Sequence, residues 1–155
     1  MKLEQGEKLA EQIMNQIRPY CDRLIVVGSI RRQKSEVRDV DLVLIPKPLL
    51  WHRIIVTLQR NMDAKVLKHG EKAAQLTIKG VNVDLYSATE ETWEPLLLIR
   101  TGSAQHNIKL SMMAQKKGMK LTHSGLVKAG KIIASTEREI FDLLDLKFIP
   151  PEERD

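Results

Sequence analysis

An α+β fold is expected for this chain: a mixed β-sheet with helices on one face, followed by a small α/β lobe. Three observations predict it. β-branched runs at 23–27, 39–45, 73–79 and 81–86 read as strands, apolar residues at helical spacing frame them, and a second set of short, glycine-punctuated strands follows a basic helical run. The length of 155 residues suits one compact unit, with room for a cleft between two lobes.

The elements follow in order. Leu3, Leu9, Ile13 and Ile17 predict a helix over 3–18, stopped by Pro19. RLIVV at 23–27 predicts a strand, Gly28-Ser29 turns the chain, and 30–34 forms a short helical turn. DVDLVLI at 39–45 is a strand ended by Pro46, and a helix opened by Pro48 runs to Arg60. Residues 64–68, 73–79 and 81–86 give further strands. Ser87 and Glu90 have the spacing of a capping box before a helix over 90–99. A basic helix over 103–117 ends at Gly118, strands follow near 119–122, 126–128 and 131–133, and Thr136 with Glu139 caps a last helix over 137–144. The division expected is 1–88 and 89–155, with the two parts packed together.

Composition narrows the functional classes. Hydrophobic residues make up 43% and charged residues 29%, as in a soluble globular protein. The start, MKLEQGEKLAEQ, carries no apolar signal segment, and no stretch is long enough to cross a bilayer; a cytoplasmic or nucleoid-associated monomer is expected. The single cysteine, Cys21, excludes an internal disulfide and reads as a half-buried packing residue. The net charge is +5. Arg100, Lys109, Lys116, Lys117, Lys120, Lys128 and Lys131 follow one another with no acid between, whereas the tail beyond them is acidic. Such segregation fits a phosphate-facing surface, with a solvated lysine-rich face as the plainer alternative. His52, His69, His106 and His123 have no metal-ligand spacing; His106 reads as an exposed helix residue, Trp51 and Trp93 as packing, and Met112-Met113 as core filling.

The chemistry lies in three aspartates. Side chains two apart on a strand share a face, so Asp39 and Asp41 point together while Val40, Leu42 and Leu44 face the core. Asp84 sits in the equally apolar VNVDL of 81–85; if the two strands are neighbours, three carboxylates converge. Their repulsion is relieved by divalent cations, and magnesium prefers such oxygen ligands while sharing them with substrate phosphates. Asp-x-Asp alone often only caps a turn, but an aspartate inside an apolar strand is costly without a partner. Gly28-Ser29 allows a sharp turn and close approach to a ligand, and the amides, hydroxyl and arginines after it suit phosphate oxygens.

GSIRRQKSEVRDVDLVL, then VDLY, then RTGSAQHN and the closing IPPEER together resemble the family X DNA polymerases, the DNA polymerase β-like nucleotidyltransferases, over residues 25–154. The resemblance implies a nucleotidyltransferase palm in 1–88 and a lobe binding the nucleotide and nascent base pair in 89–155. It implies that Asp39, Asp41 and Asp84 are catalytic and hold two Mg2+ ions, with Mn2+ as a substitute. Ser29 and Arg32 match residues that bind the incoming triphosphate, with Gly28 in the same turn, and Arg38, which departs from the family, adds a charge beside the phosphates as a further nucleotide-binding candidate; Gly102-Ser103, often a cis peptide in the family, would lie beside its sugar, and Asn107 would reach its base. Lys72 matches a basic DNA-backbone contact, and the acid-free block adds Arg100, Lys109, Lys116, Lys117 and Lys120 as expected DNA contacts. The implied substrates are gapped or primer-template DNA and a dNTP, and the implied role is short-gap filling in repair.

The sequence also departs from the family. Ile99-Arg100 replaces a Tyr-Phe pair, Arg38 replaces a glycine, Asn82 replaces an arginine before the third aspartate, and Ser111 stands at a templating-pair arginine. No 5′-deoxyribose phosphate lyase activity is expected, because the lyase domain and helix-hairpin-helix clamps are not among these residues. Two rival readings stand beside gap filling: untemplated terminal or ribonucleotide transfer, and a non-catalytic DNA-end binding module.

Overall fold

The computed structural model describes residues 1–155. Helix α1 (Leu3–Ile17) buries Leu9, Ala10, Ile13 and Ile17 along one stripe, and Pro19 converts its end into a short 3-10 turn. Strand β1 (Cys21–Val27) runs into the single-turn helix α2 (Gly28–Arg31) and pairs antiparallel with β2 (Val40–Pro46). Helix α3 (Trp51–Met62) leads to β3 (Lys65–His69), β4 (Ala73–Ile78) and β5 (Val81–Ser87), which completes a five-stranded sheet of order β1-β2-β5-β4-β3. Only the β2–β5 pair is parallel.

Strand alternation divides the apolar residues between two faces. Val40, Leu42, Leu44, Val83 and Leu85 pack against α1 and α3 in the largest core cluster. On the opposite face, Val27, Val43 and Ile45 meet Trp93, Leu96 and Leu97 of α4 (Trp93–Thr101). The next residue of α4, Leu98, belongs to a separate core. There it joins Leu110 and Ala114 of α5 (Ala104–Lys116), Leu126 of β7 (Gly125–Lys128), Ala134 of β8 (Lys131–Ala134), and Ile140 and Phe141 of α6 (Glu137–Leu143). Strand β6 (Lys120–Thr122) is the edge of that three-stranded sheet. Helix α4 therefore ties the two cores together. No helix is long and apolar enough to cross a membrane.

Most expected elements form where the pattern puts them, but α2 already begins at Gly28, two residues before the turn expected over 30–34, and two longer helices also start elsewhere. The amide of Leu50 donates to the Lys47 carbonyl and Leu49 adopts φ +65°, so Pro48 lies in a turn and α3 begins at Trp51. Ser87 does not cap α4: it is the last residue of β5, opposite Leu44, and its amide donates to Lys72. The turn before α4 is instead closed by Thr89 and Thr92, whose amides and hydroxyls bond reciprocally. The Thr136–Glu139 box forms as expected, with the Glu139 amide donating to the Thr136 hydroxyl and the Thr136 amide to the Glu139 carboxylate. Met112 is 54% exposed, contrary to core filling, because His106, Leu110 and Ala114 define the buried stripe of α5 and leave Met112 outside it. Met113, beside the stripe, packs against the second core.

A buried ionic node joins the halves of the chain. The Glu137 carboxylate accepts from Arg31 of α2 at 2.9 and 3.2 Å and from Arg154 at 2.5 Å. Arg154 is fully buried, approaches the rings of Phe141 and Phe148, and donates through Nε to the Ile149 carbonyl. Arg31 also donates to the Thr101 hydroxyl at 2.7 Å. Burial pushes the Glu137 carboxyl upward, but hydrogen bonds from Arg31 and the charge of Arg154 outweigh it, leaving Glu137 below the usual carboxylate range.

Removing one partner of such a buried pair strands the other charges. Glu137→Ala is expected to lower stability in urea unfolding by about 3–5 kcal/mol. Because the native value is depressed, the node contributes fully above the ordinary carboxylate value of 4.5 and its contribution is lost as pH falls through the lower native value. Urea unfolding followed between pH 7 and pH 3 should show this acid loss in the parent, and Glu137→Gln should flatten it.

Candidate active site

Asp41 and Asp84 stand directly opposite one another in the parallel β2–β5 register. Their hydrophobic neighbours fix this arrangement, since a one-residue slip would turn Val40, Leu42, Val83 and Leu85 out of the core. Asp39 precedes β2 by one residue and lines, with Asp41, an open cleft of about 650 Å³. Asp84 lines an adjoining cavity with Lys68, His69 and Gln75, and Tyr86 belongs to the walls of both. The acids are mutually close. Burial, then the charge of Asp84 and a side-chain hydrogen bond with it, then Asp39, push the Asp41 carboxyl up to about 7, and Arg100 partly offsets the rise.

Gly28 makes room for this cluster. Its φ is +65°, and a Cβ there would collide with the Asp41 carboxylate. Both the left-handed backbone and the close approach require glycine. Ser29 and Arg32, one turn on, face the same cleft, as does the exposed Arg38. Arg32 donates to the Thr101 carbonyl at 2.6 Å, which brings α2 against the far wall.

That wall is the turn between α4 and α5. Gly102-Ser103 is a cis peptide, with Gly102 at φ +71°. The Ser103 hydroxyl caps α5 by accepting from the His106 amide, and the Ser103 amide donates to the Arg154 carbonyl at 3.1 Å. Asn107 lines the cleft with its amide nitrogen donating to the Ile99 carbonyl, while its Oδ1 is buried without a partner. A groove continues past Asn107 along Ser111 and Gln115, which share a face of α5, toward Lys120 and Leu121.

The basic residues separate into two groups. Arg100 lies inside the cleft, its guanidinium 4.2 Å from the Tyr86 ring centre. Lys109 and Lys116 are exposed on α5, Lys117 ends it in an ion pair with Asp145, Lys120 opens β6, and Lys72 is exposed in the β3–β4 turn outside the cleft lining. His106 is the clear correction: it is 4% exposed rather than a surface residue, with both ring nitrogens unpartnered. Burial, then Arg154, Lys109 and Arg32 nearby, push it down to about 4. Cys21 is half-buried as expected, its thiol pushed up to about 11 by burial. Trp51 begins α3 with its indole donating to the Gly70 carbonyl, and Trp93 is buried.

Sequence reasoning did not select Tyr86 or Lys34, both in the cleft lining. Tyr86 was within reach of the alternation rule, being two residues beyond Asp84 on the same strand face. Lys34 carries no such signal, because it follows an irregular turn.

A mixed sheet carrying paired aspartates, entered through a Gly-Ser turn and faced by a second lobe, is consistent with a DNA polymerase β-like palm and lobe. The DNA polymerase beta thumb family matches residues 96–155. The chain is 25% identical to the repair DNA polymerase X of African swine fever virus (isolate Pig/Kenya/KEN-50/1950), over 99% of both chains. It is 29% identical to the DNA polymerase/3'-5' exonuclease PolX of Bacillus subtilis over 83% of this chain, which spans 23% of that protein. A 55-residue stretch is 44% identical to DNA polymerase IV of Saccharomyces cerevisiae. The chain is thus similar to X-type DNA polymerases along its whole length, and its last sixty residues match their thumb.

Gly28 offers a direct check on the crowding at Asp41. Gly28→Ala should destabilise the protein by about 1–3 kcal/mol in denaturant unfolding through the left-handed backbone alone. It should also displace Asp41, so that any catalytic activity falls more than stability does.

Proposed function

We propose that this chain is a DNA-directed DNA polymerase that adds deoxynucleoside monophosphates to a DNA 3′ hydroxyl, filling short gaps during repair. The observation that carries the reading is the facing pair Asp41 and Asp84, with Asp39 beside them, under the Gly28-Ser29 turn. The relatives named repair DNA polymerase X and DNA polymerase/3'-5' exonuclease PolX support the substrate class.

The donor set suits magnesium. Carboxylate oxygens are its preferred ligands, and Asp41, pushed up to about 7 first by burial and then by Asp84 and Asp39, is a carboxyl that a bound cation would hold ionised. As the side chains stand, no three acidic or histidine groups form a closed cage, so the fit is one of chemistry and proximity. Asp39 and Asp41 would hold two Mg2+ ions, with Asp84 completing one site; when bound, the ions would polarise the attacking hydroxyl and offset charge on the leaving group. Mn2+ is a chemically compatible substitute.

The remaining steps belong to the protein. The primer 3′ oxygen attacks the α-phosphorus of the dNTP, its proton passes to a carboxylate of the aspartate cluster or to water, and the bond to pyrophosphate breaks. Gly28, Ser29, Arg32 and Arg38 hold the triphosphate in line, so catalysis is chiefly positioning and charge stabilisation. The Gly102-Ser103 backbone bounds the sugar, and Asn107 reaches the base edge. Residues 1–88 act as the palm and 89–155 as the lobe that closes on the nascent pair. Lys72, Lys109, Lys116, Lys117 and Lys120 bind DNA phosphates. An intracellular monomer fits these roles. A second reading, untemplated or ribonucleotide transfer, is favoured by Ser111: its short side chain leaves the groove beyond Asn107 open.

Single-nucleotide incorporation into gapped DNA with magnesium tests the reading. Asp41→Asn and Asp84→Asn should each reduce the rate by about a thousand-fold or more. An Asp84→Asn protein that extends normally would sink the assignment. Comparing gapped, blunt and single-stranded primers, each with dNTP and NTP, separates the second reading from the first. Replacing Lys109, Lys116 and Lys120 together with Gln should weaken binding to any DNA sequence, and should reduce the log–log salt slope by about 0.9 for each phosphate no longer neutralised.

A further inference from the structure

Arg100 is the one cation stacked on a wall of the cleft beside the aspartates. Its guanidinium lies over Tyr86, and Tyr86 shares a strand face with Asp84, two residues away. Arg100 lines the same cleft as Asp39 and Asp41. It takes part in none of the chain's ion pairs, and its Nε is buried without a hydrogen-bond partner. The side chain is thus held by the aromatic ring while its charge remains uncommitted.

Resting on the reading of the aspartates as a divalent-cation site, we propose that Arg100 is a resident counter-cation of that cluster, which disfavours a bare metal ion and favours one arriving with a nucleotide's phosphates. Two consequences of opposite sign follow from Coulomb's law. A fixed guanidinium repels a free divalent cation from the carboxylates it helps to neutralise. The same guanidinium attracts a metal–triphosphate complex, whose net charge is negative, and its fork geometry suits phosphate oxygens. The influence of Arg100 on Asp41, which it holds lower than the other acids would leave it, is consistent with this placement. Arg100 is a positioning and specificity residue in this account: it selects the form in which the cation enters.

The test is direct binding, measured without turnover. Mn2+ alone is titrated into the full chain and followed by the electron paramagnetic resonance signal of the free ion; the Mn2+ complex of a non-hydrolysable dNTP is titrated separately by calorimetry. Arg100→Met keeps the apolar stem and removes the charge, Arg100→Lys keeps the charge, and Asp41→Asn reports on the cluster itself. Circular dichroism confirms folding of each. Arg100→Met should bind bare Mn2+ about ten-fold more tightly and the Mn2+–nucleotide complex more weakly, and Arg100→Lys should restore most of the original balance. Unchanged or weaker binding of bare Mn2+ by Arg100→Met, with Asp41→Asn abolishing it, overturns the role of Arg100 and leaves the metal site standing. Bare Mn2+ binding that Asp41→Asn does not alter, or no binding by either the parent or Arg100→Met, overturns both. Weakening of both ligands by Arg100→Met would mark Arg100 as merely structural.

Discussion

A carboxylate buried between two arginines sets the geometry on which the cleft depends. Glu137 receives Arg31 from the strand-to-helix turn of the large sheet and Arg154 from the end of the chain. The same two arginines reach the α4–α5 turn, Arg31 through the Thr101 hydroxyl and Arg154 through its carbonyl to the Ser103 amide. The turn is therefore held by hydrogen bonds to two separate segments, which Glu137 in turn ties together. Such an ion cluster need not exceed a hydrophobic substitute in stability, because desolvation offsets much of its Coulombic gain. Its value here is directional: hydrogen bonds to specified atoms fix one arrangement of the turn, which apolar contacts alone would specify less sharply.

The opposite constraint operates at the aspartates. Carboxylates repel at short range, yet β2 and β5 hold Asp41 and Asp84 face to face. The force that keeps them there is apolar. Val40, Leu42, Leu44, Val83 and Leu85 are fully buried on the other side of the same two strands, and fully burying side chains of this size contributes roughly 1.5–3 kcal/mol each. The core thus supports a local electrostatic penalty, a pattern found at functional sites. Gly28 belongs to the same compromise, since any side chain there would meet the Asp41 carboxylate.

Much of this was legible in the sequence because it follows from periodicity. The alternation in DVDLVLI and VNVDL assigns each side chain to its face, and the Thr136–Glu139 spacing identifies a cap that forms. The misses are long-range. The spacing of Ser87 and Glu90 is that of a cap, but the strand register claims Ser87 for β5. His106 looked exposed because its neighbours Gln105 and Asn107 are polar; packing beside Phe141 and Arg154 buries it. The meaning of Arg154 was hidden for the same reason. IPPEER marks a family, but nothing local says that its arginine will be fully buried against a glutamate 17 residues earlier.

The distribution of unsatisfied groups joins the two constraints. Buried side-chain polar atoms without partners occur on Arg32, Arg100, His106, Asn107 and Arg154 and on no other residue. Folded proteins satisfy nearly all such groups, and each exception costs stability. Here the exceptions gather around one turn instead of scattering through the cores. Arg32, Arg100 and Asn107 also line the cleft, so the side chains with unpartnered buried atoms are ones that border its volume. His106 stands behind them among Arg154, Lys109 and Arg32, and remaining neutral it adds no further positive charge to the set. The cleft therefore sets incompletely compensated anions beside under-bonded cations. Apolar packing and the Glu137 node keep the two sets from collapsing onto each other, and a ligand that is both metal-bound and anionic is the kind that satisfies both at once.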